Sequence, residues 1–253
     1  MEPYYFMLPG FRVTPSKSLK STHWMGGEPF HANAKCDVCK RPYGQLWCID
    51  CSDPKIPALH QPDFSRLSLY FCWTCGNDFY YEIGDRKGFK FKGYASKREP
   101  SSDFPYTNYP KVFDRIPIGI QRIPYEVEKC ALLVLGVMGE GFEDSLGMMK
   151  PWMTASDRRE LSAYYGRDVE SPLDMRSDQL GGLPYLIQGA ETIACPSGCT
   201  QRMRVLATVY SNPKNGLPML APREHPEKNN PFAQVVFHIC PSCYCIHAGN
   251  RCD

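Results

Sequence analysis

The chain has 253 residues, enough to bury a substantial core as one large domain or as two intimately packed halves. Its net charge of +2, with basic residues dispersed among acidic ones, carries no electrostatic footprint of a dedicated nucleic-acid binder. No window of about 18 apolar residues suggests a membrane span, and residues 1–10 lack the basic and apolar regions of a secretory leader, so a cytoplasmic protein with no membrane partner is expected.

Prolines (23) and glycines (20) punctuate short apolar and aromatic runs, which reads as many strands joined by turns, a mostly β fold of the α+β class. In chain order, a turn at Gly26, Gly27 and Pro29 precedes the close pair Cys36 and Cys39. Strands are predicted over 45–49, 68–73 and 79–83, with Cys72 and Cys75 closing the second of these. Residues 84–128 are charged, aromatic and proline-rich and read as a connection, solvated at 97–103 and extended at 116–124. A further strand is predicted over 131–137, then a helix with Ser156 as N-cap, Asp157 in its first turn, Leu161 with Tyr164 or Tyr165 on its apolar stripe, and Gly166 at its end. Strands over 203–210 and 234–239 complete the chain.

The order of parts repeats. Gly181, Gly182 and Pro184 precede Cys195 and Cys199, and Cys240 and Cys243 close the strand ending at Ile239. The expectation is an internal duplication: residues 1–94 form one β-rich repeat, 95–178 a linker with the short helix, and 179–253 a second β-rich repeat, packed as one globule. The Gly-Gly-x-Pro motif itself reads as a structural corner, since glycine reaches backbone angles denied to other residues and proline fixes the next step.

Two thiolates two residues apart in a tight turn can face one ion, and two such turns supply the four tetrahedral ligands of a closed structural zinc site. The odd total of thirteen cysteines also fits metal-bound thiolates better than a disulfide framework. The predicted cofactors are therefore two structural Zn2+ ions in zinc-ribbon-like sites, one on Cys36, Cys39, Cys72 and Cys75, the other on Cys195, Cys199, Cys240 and Cys243. A compact knuckle of Cys36, Cys39, Cys48 and Cys51 competes for the first, and Cys245, His247 or Cys252 can replace a ligand in the second. Matching 51–54 with 210–213 places Cys48 and Cys51 opposite Ala207 and Tyr210, on opposite faces of a strand, where they do not share an ion.

The elements Gln179–Gln188 and Met203–Val209, followed by a late aromatic strand, resemble the bacterial YwqG-like family of unassigned function. The cysteine pairs after the Gly-Gly-x-Pro turn and after the late strand are similar to those of the eukaryotic programmed-cell-death-protein-2 group. That resemblance implies a duplicated cytosolic escort of a ribosomal protein. The first copy departs from the pattern, with Phe30-His31-Ala32-Asn33 where the second has Tyr185-Leu186-Ile187-Gln188.

An enzyme needs a nucleophile, a base or an open metal position. The six histidines, His23, His31, His60, His225, His238 and His247, follow no metal-protease spacing, and Gly136–Gly141 lacks the lysine and hydroxyl residue of a phosphate loop. The sequence reading is a non-enzymatic zinc-binding protein-interaction module, an escort or immunity-type partner of another protein whose identity it does not name. Its alternatives are a thiol-dependent enzyme using Cys48 and Cys51, and a zinc-ribbon nucleic-acid binder using Lys87, Lys90, Lys92, Arg202 and Arg204.

Overall fold

The computed structural model describes residues 6–18, 20–61, 63, 65–85, 88–96, 112–130, 154–166, 168–169, 177–184, 186, 191–199, 201–210 and 233–252. Twelve strands follow one another: β1 (Phe11–Pro15), β2 (His23–Gly27), β3 (Gly44–Asp50), β4 (Arg66–Phe71), β5 (Asp78–Gly84), β6 (Gly88–Ser96), β7 (Phe113–Arg122), β8 (Gln179–Leu180), β9 (Ile193–Ala194), β10 (Arg202–Tyr210), β11 (Ala233–Ile239) and β12 (Ile246–Cys252). Between β7 and β8, residues 125–130 are helical, and a further helix, α1 (Ala155–Tyr165), follows. The strand predicted over 131–137 and the solvated stretch 97–103 lie outside the described residues. Among the described residues no helix is long and apolar enough to cross a membrane.

The strands form one curled sheet in the order β4-β3-β2-β7-β1-β8-β10-β11-β12-β5-β6, with β9 paired to β10 beside it. Strands β3 and β4 are buried on both faces and read as near-continuous apolar runs, whereas β5 alternates. The rings of Tyr43, Tyr70, Phe71, Phe79, Tyr81 and Phe89 fill the curl, with Tyr43 stacked on Phe79 at 4.6 Å and Tyr81 on Phe89 at 5.3 Å. The Tyr81 hydroxyl donates to the Ser68 carbonyl and accepts from the Tyr70 amide, both at 3.1 Å, which ties β5 to the open edge of β4 without a backbone ladder.

Two corrections concern the connection and the helix. The stretch 84–128 is not only a connection: it holds β6 and β7, and β7 sits mid-sheet between β2 and β1. Its Pro117 is tolerated because its carbonyl turns toward Ser16 N (2.9 Å), just beyond the end of β1 at Pro15, so no ladder amide is missing. The helix is capped by Thr154 rather than Ser156. The Thr154 hydroxyl accepts from Asp157 N, and the Asp157 carboxylate accepts from Thr154 N at 2.9 Å, a reciprocal capping box. Leu161 is buried and Gly166 ends the helix in the left-handed conformation, as the sequence suggested.

The two ladders share their register. Trp24↔Cys48 and Met25↔Trp47 between β2 and β3 are matched by Gln179↔Thr208 and Leu180↔Ala207 between β8 and β10. Gly44↔Phe71 and Trp47↔Leu69 between β3 and β4 are matched by Arg204↔Ile239 and Ala207↔Phe237 between β10 and β11, with a bulge at Leu46 in one and at Leu206 in the other. This register sets Cys48 against Thr208, one residue away from the Ala207 expected from the loop sequences. Backbone pairing fixes the strands, and the likeness between the sequences just after them is offset from that pairing by one residue.

Both Gly-Gly corners are close approaches. Gly181 and Gly182 have φ of 67° and 62°, and a Cβ on them would lie 2.5 Å from the Pro9 carbonyl oxygen and from Gly10 Cα. Gly26, with φ of 64°, approaches the Asp114 carbonyl of β7 as closely, whereas Gly27, with φ of 78°, faces the Arg115 side chain at 3.3 Å. Three residues before each corner, a side chain accepts a bond from the end of the neighbouring strand: His23 Nδ1 from Asp50 N at 3.0 Å, and Asp178 Oδ1 from Tyr210 N at 2.8 Å.

Candidate metal centres

Each cysteine pair sits in a turn whose backbone shapes it. Cys36 and Cys39 lie between β2 and β3, where Lys40 N donates to Cys36 O (2.9 Å) and Cys36 N to Arg41 O (2.9 Å). Cys72 and Cys75 lie between β4 and β5, closed by Gly76 N to Cys72 O at 2.8 Å. Cys240 and Cys243 lie between β11 and β12, closed by Tyr244 N to Cys240 O (3.0 Å) and Cys240 N to Cys245 O (2.8 Å). The residue after the second cysteine is left-handed in all three turns: Lys40, Gly76 and Tyr244 at φ of 62°, 61° and 58°. Two of these are not glycine, a local strain that persists where the surrounding structure over-determines it. The Cys195–Cys199 turn is one residue longer and places Gly198 at φ 76°.

These turns bring the eight cysteines into the two predicted sets. Cys36, Cys39, Cys72 and Cys75 form one group, and Cys195, Cys199, Cys240 and Cys243 the other, the sulfurs of each group lying within 4.8 Å of one another. Contacts are 3.7 Å for Cys36–Cys75 and 3.6 Å for Cys39–Cys72. In the second group Cys195–Cys243 is 3.5 Å, Cys199–Cys240 3.2 Å and Cys199–Cys243 3.8 Å. Four sulfurs each at ~2.3 Å from a tetrahedral ion stand about 3.8 Å apart, whereas a disulfide needs about 2.05 Å. The spacing suits a shared cation and no disulfide.

The electrostatics agree. Contact with Cys72 pulls Cys36 down to about 7 and Cys39 down to about 5, while Cys72 is driven far up by Cys36 and its other two neighbours. In the second group, contact with Cys240 lowers Cys199 to about 7, and burial raises Cys195, Cys240 and Cys243. Backbone amides point at the sulfurs, those of Val38 and Cys39 at Cys36 and those of Ser242 and Cys243 at Cys240, and so favour thiolate. Several thiolates in one small space call for a cation. Both groups are shielded, the first more fully: only Cys39 of its members is partly exposed, against Cys199 and Cys243 in the second.

The competing ligands stand apart. Cys48 is buried in β3 against the Ser68 hydroxyl, and Cys51 is buried just beyond it with its sulfur on the Ile49 carbonyl, so the compact knuckle does not form. Burial pushes their thiols up to about 11 and about 12. Cys245 is buried behind the second group, its thiol raised by burial and by Cys195, and His247 faces His238 with Nδ1 atoms 3.4 Å apart. The Cys252 side chain, Gly136–Gly141, His225 and Lys87 lie outside the described residues.

The remaining described histidines have structural partners, as does Lys92, whereas Lys90 and Arg202 are exposed and Arg204 is half-buried. His23 donates from Nε2 to Asp53 at 2.9 Å, His31 meets the Tyr70 hydroxyl at 2.9 Å, and His60 donates to the Asp53 carbonyl at 3.1 Å. Lys92 is ion-paired with Glu82 at 3.0 Å. A polar seam runs beside the second group: Arg251 pairs with Asp78 (2.9 Å) and Glu191 (2.5 Å), and Ser197 donates to Glu82 at 2.9 Å.

One cluster escaped the sequence reading. The guanidinium groups of Arg115 and Arg66 lie 4.1 and 5.0 Å from the Trp24 ring centre, with Phe30 at 6.5 Å. These residues come from β2, β4, β7 and a loop, and no spacing in the sequence links them.

No protein-family model, curated protein or solved structure matches the chain.

Proposed function

We propose that the chain is a non-enzymatic protein-interaction module made of two duplicated halves, each pinned by a structural zinc ion. The observation that carries this reading is the pair of closed four-sulfur groups at tetrahedral spacing. Four thiolates fill the coordination shell, which leaves no position for a water or substrate, so such an ion stabilises the fold and activates no nucleophile. Zinc is favoured over other divalent ions by the all-sulfur tetrahedral donor set. The duplication draws support from the shared ladder register, the matched bulges and the paired Gly-Gly corners. The burial of Cys48 and Cys51 weighs against the thiol-enzyme alternative, because a protonated, inaccessible thiol is a poor nucleophile. The reading places the protein in the reducing cytoplasm as an escort or immunity-type partner of one other protein, the escort role being also what its resemblance to the programmed-cell-death-protein-2 group implies.

The test is capture of a partner from native cells with the tagged full-length chain, followed by reconstitution from purified components. The expected result is a complex of defined stoichiometry, tighter than about 1 μM, that is lost when a chelator removes the metals. Failure to reconstitute any complex would overturn the reading.

A further inference from the structure

We propose that the surface around Trp24, where β2, β7 and the first residue of β4 meet, is the docking surface, and that its occupant is a short acidic segment of the partner protein. This rests on the interaction-module reading. Arg66 is already committed: it pairs with Asp50 at 3.4 Å and donates to the Thr22 carbonyl at 2.5 Å. Arg115 is exposed, makes no ion pair among the described residues, and lies over the indole at 4.1 Å. Contact with the ring restrains the guanidinium, and no carboxylate among the described residues pairs with it, so a ligand carboxylate can be gripped at both oxygens with little further loss of freedom. Phe30 is 43% exposed, one of three large hydrophobic side chains left open among the described residues, and it offers an apolar contact beside that charge.

The ladder does not demand this cluster. At the positions of the second half that match Trp24 and Arg66 in register stand Gln179 and Gln234, both buried. The first half thus carries an open aromatic-cationic face where the second carries a closed polar one. An acidic peptide fits better than a nucleic acid. The indole is covered by guanidinium and is not offered to a base, and a phosphate backbone needs several free cations where this cluster has one.

The test uses the full-length, metal-loaded protein and three fluorescein-labelled probes: a peptide of glutamates flanking a phenylalanine, the same peptide with lysines, and oligo-deoxythymidine. Anisotropy is expected to show salt-sensitive binding of the glutamate peptide alone. Arg115→Glu and Phe30→Ser should each weaken it, the former at least about tenfold, with metal content and thermal midpoint unchanged, whereas Arg159→Glu on α1 has no effect. Equal binding of the lysine peptide, preference for the oligonucleotide, or indifference to both Arg115→Glu and Phe30→Ser would overturn the assignment. A native partner that binds wild type and Arg115→Glu alike would remove this surface yet leave the module in place.

Discussion

Replacing Gly181 with alanine isolates what the Gly-Gly corner contributes. Any L-residue at φ 67° incurs the left-handed cost, roughly 1–2 kcal/mol. The same cost applies at Gly166, where φ is 66° and a new Cβ meets nothing within 4 Å. At Gly181 the Cβ would lie 2.5 Å from the Pro9 carbonyl oxygen and 2.8 Å from Leu8 Cγ, and a backbone carbonyl held by the β1–β8 junction cannot swing aside. Such overpacking adds about 1–3 kcal/mol, so Gly181→Ala should lose about 2–5 kcal/mol against about 1–2 for Gly166→Ala. At ~2–4 °C per kcal/mol for a chain of this size, the midpoints by circular dichroism should fall by about 10 °C and about 4 °C. Equal losses would refute the argument that close backbone approach, and not conformation alone, fixes glycine at the corner.

Other outcomes follow from the same geometry. After chelation, iodoacetamide near neutral pH should label Cys39 and Cys199 first, since neighbouring cysteines lower them to about 5 and about 7 and both are partly exposed, while Cys48 and Cys51 stay unlabelled until the chain unfolds; peptide mapping by mass spectrometry reads this. Burial, then Arg251, holds the His247 imidazole down to about 3 against 6.5 when free. The unfolded chain therefore takes up this proton first, and the contribution is full above about pH 6.5 and is lost as pH falls toward 3. Between pH 7 and pH 5 wild type should lose about 2 kcal/mol through this group, and His247→Phe should lose about that much less in urea titrations at the two pH values. Identical pH slopes would contradict the burial argument. Thr154→Ala should cost about 1 kcal/mol through the lost capping box, seen as a lower thermal midpoint, whereas Ser156→Ala should be near neutral.

The sulfur sites were legible because cysteine spacing is a local signal: a two-residue gap forces a turn, and the turn aims both thiols at one point. Strands β3, β5, β10 and β11 were legible for a similar reason, as short β-branched and aromatic runs between turn residues. What depends on distant pairing was not. Strand β7 contains Pro117 and alternates weakly, and its central place follows from β1 ending just where Pro117 lacks an amide, a fact held in no single segment. The one-residue offset between the two ladders arose because the sequences just after β3 and β10 look alike while the ladder bonds do not follow that likeness. The helix cap was readable as Thr154-x-x-Asp157. The Trp24 cluster was not readable, because residues 24, 30, 66 and 115 meet only when the sheet has formed.

The most direct test of the account is metal per chain, by elemental analysis of the native protein and of two double variants, Cys36→Ser with Cys39→Ser and Cys195→Ser with Cys199→Ser. The account predicts two zinc ions in the native chain and one in each variant, with X-ray absorption reporting four sulfurs at ~2.3 Å. A metal-free native protein, or a variant that keeps both ions, would contradict it.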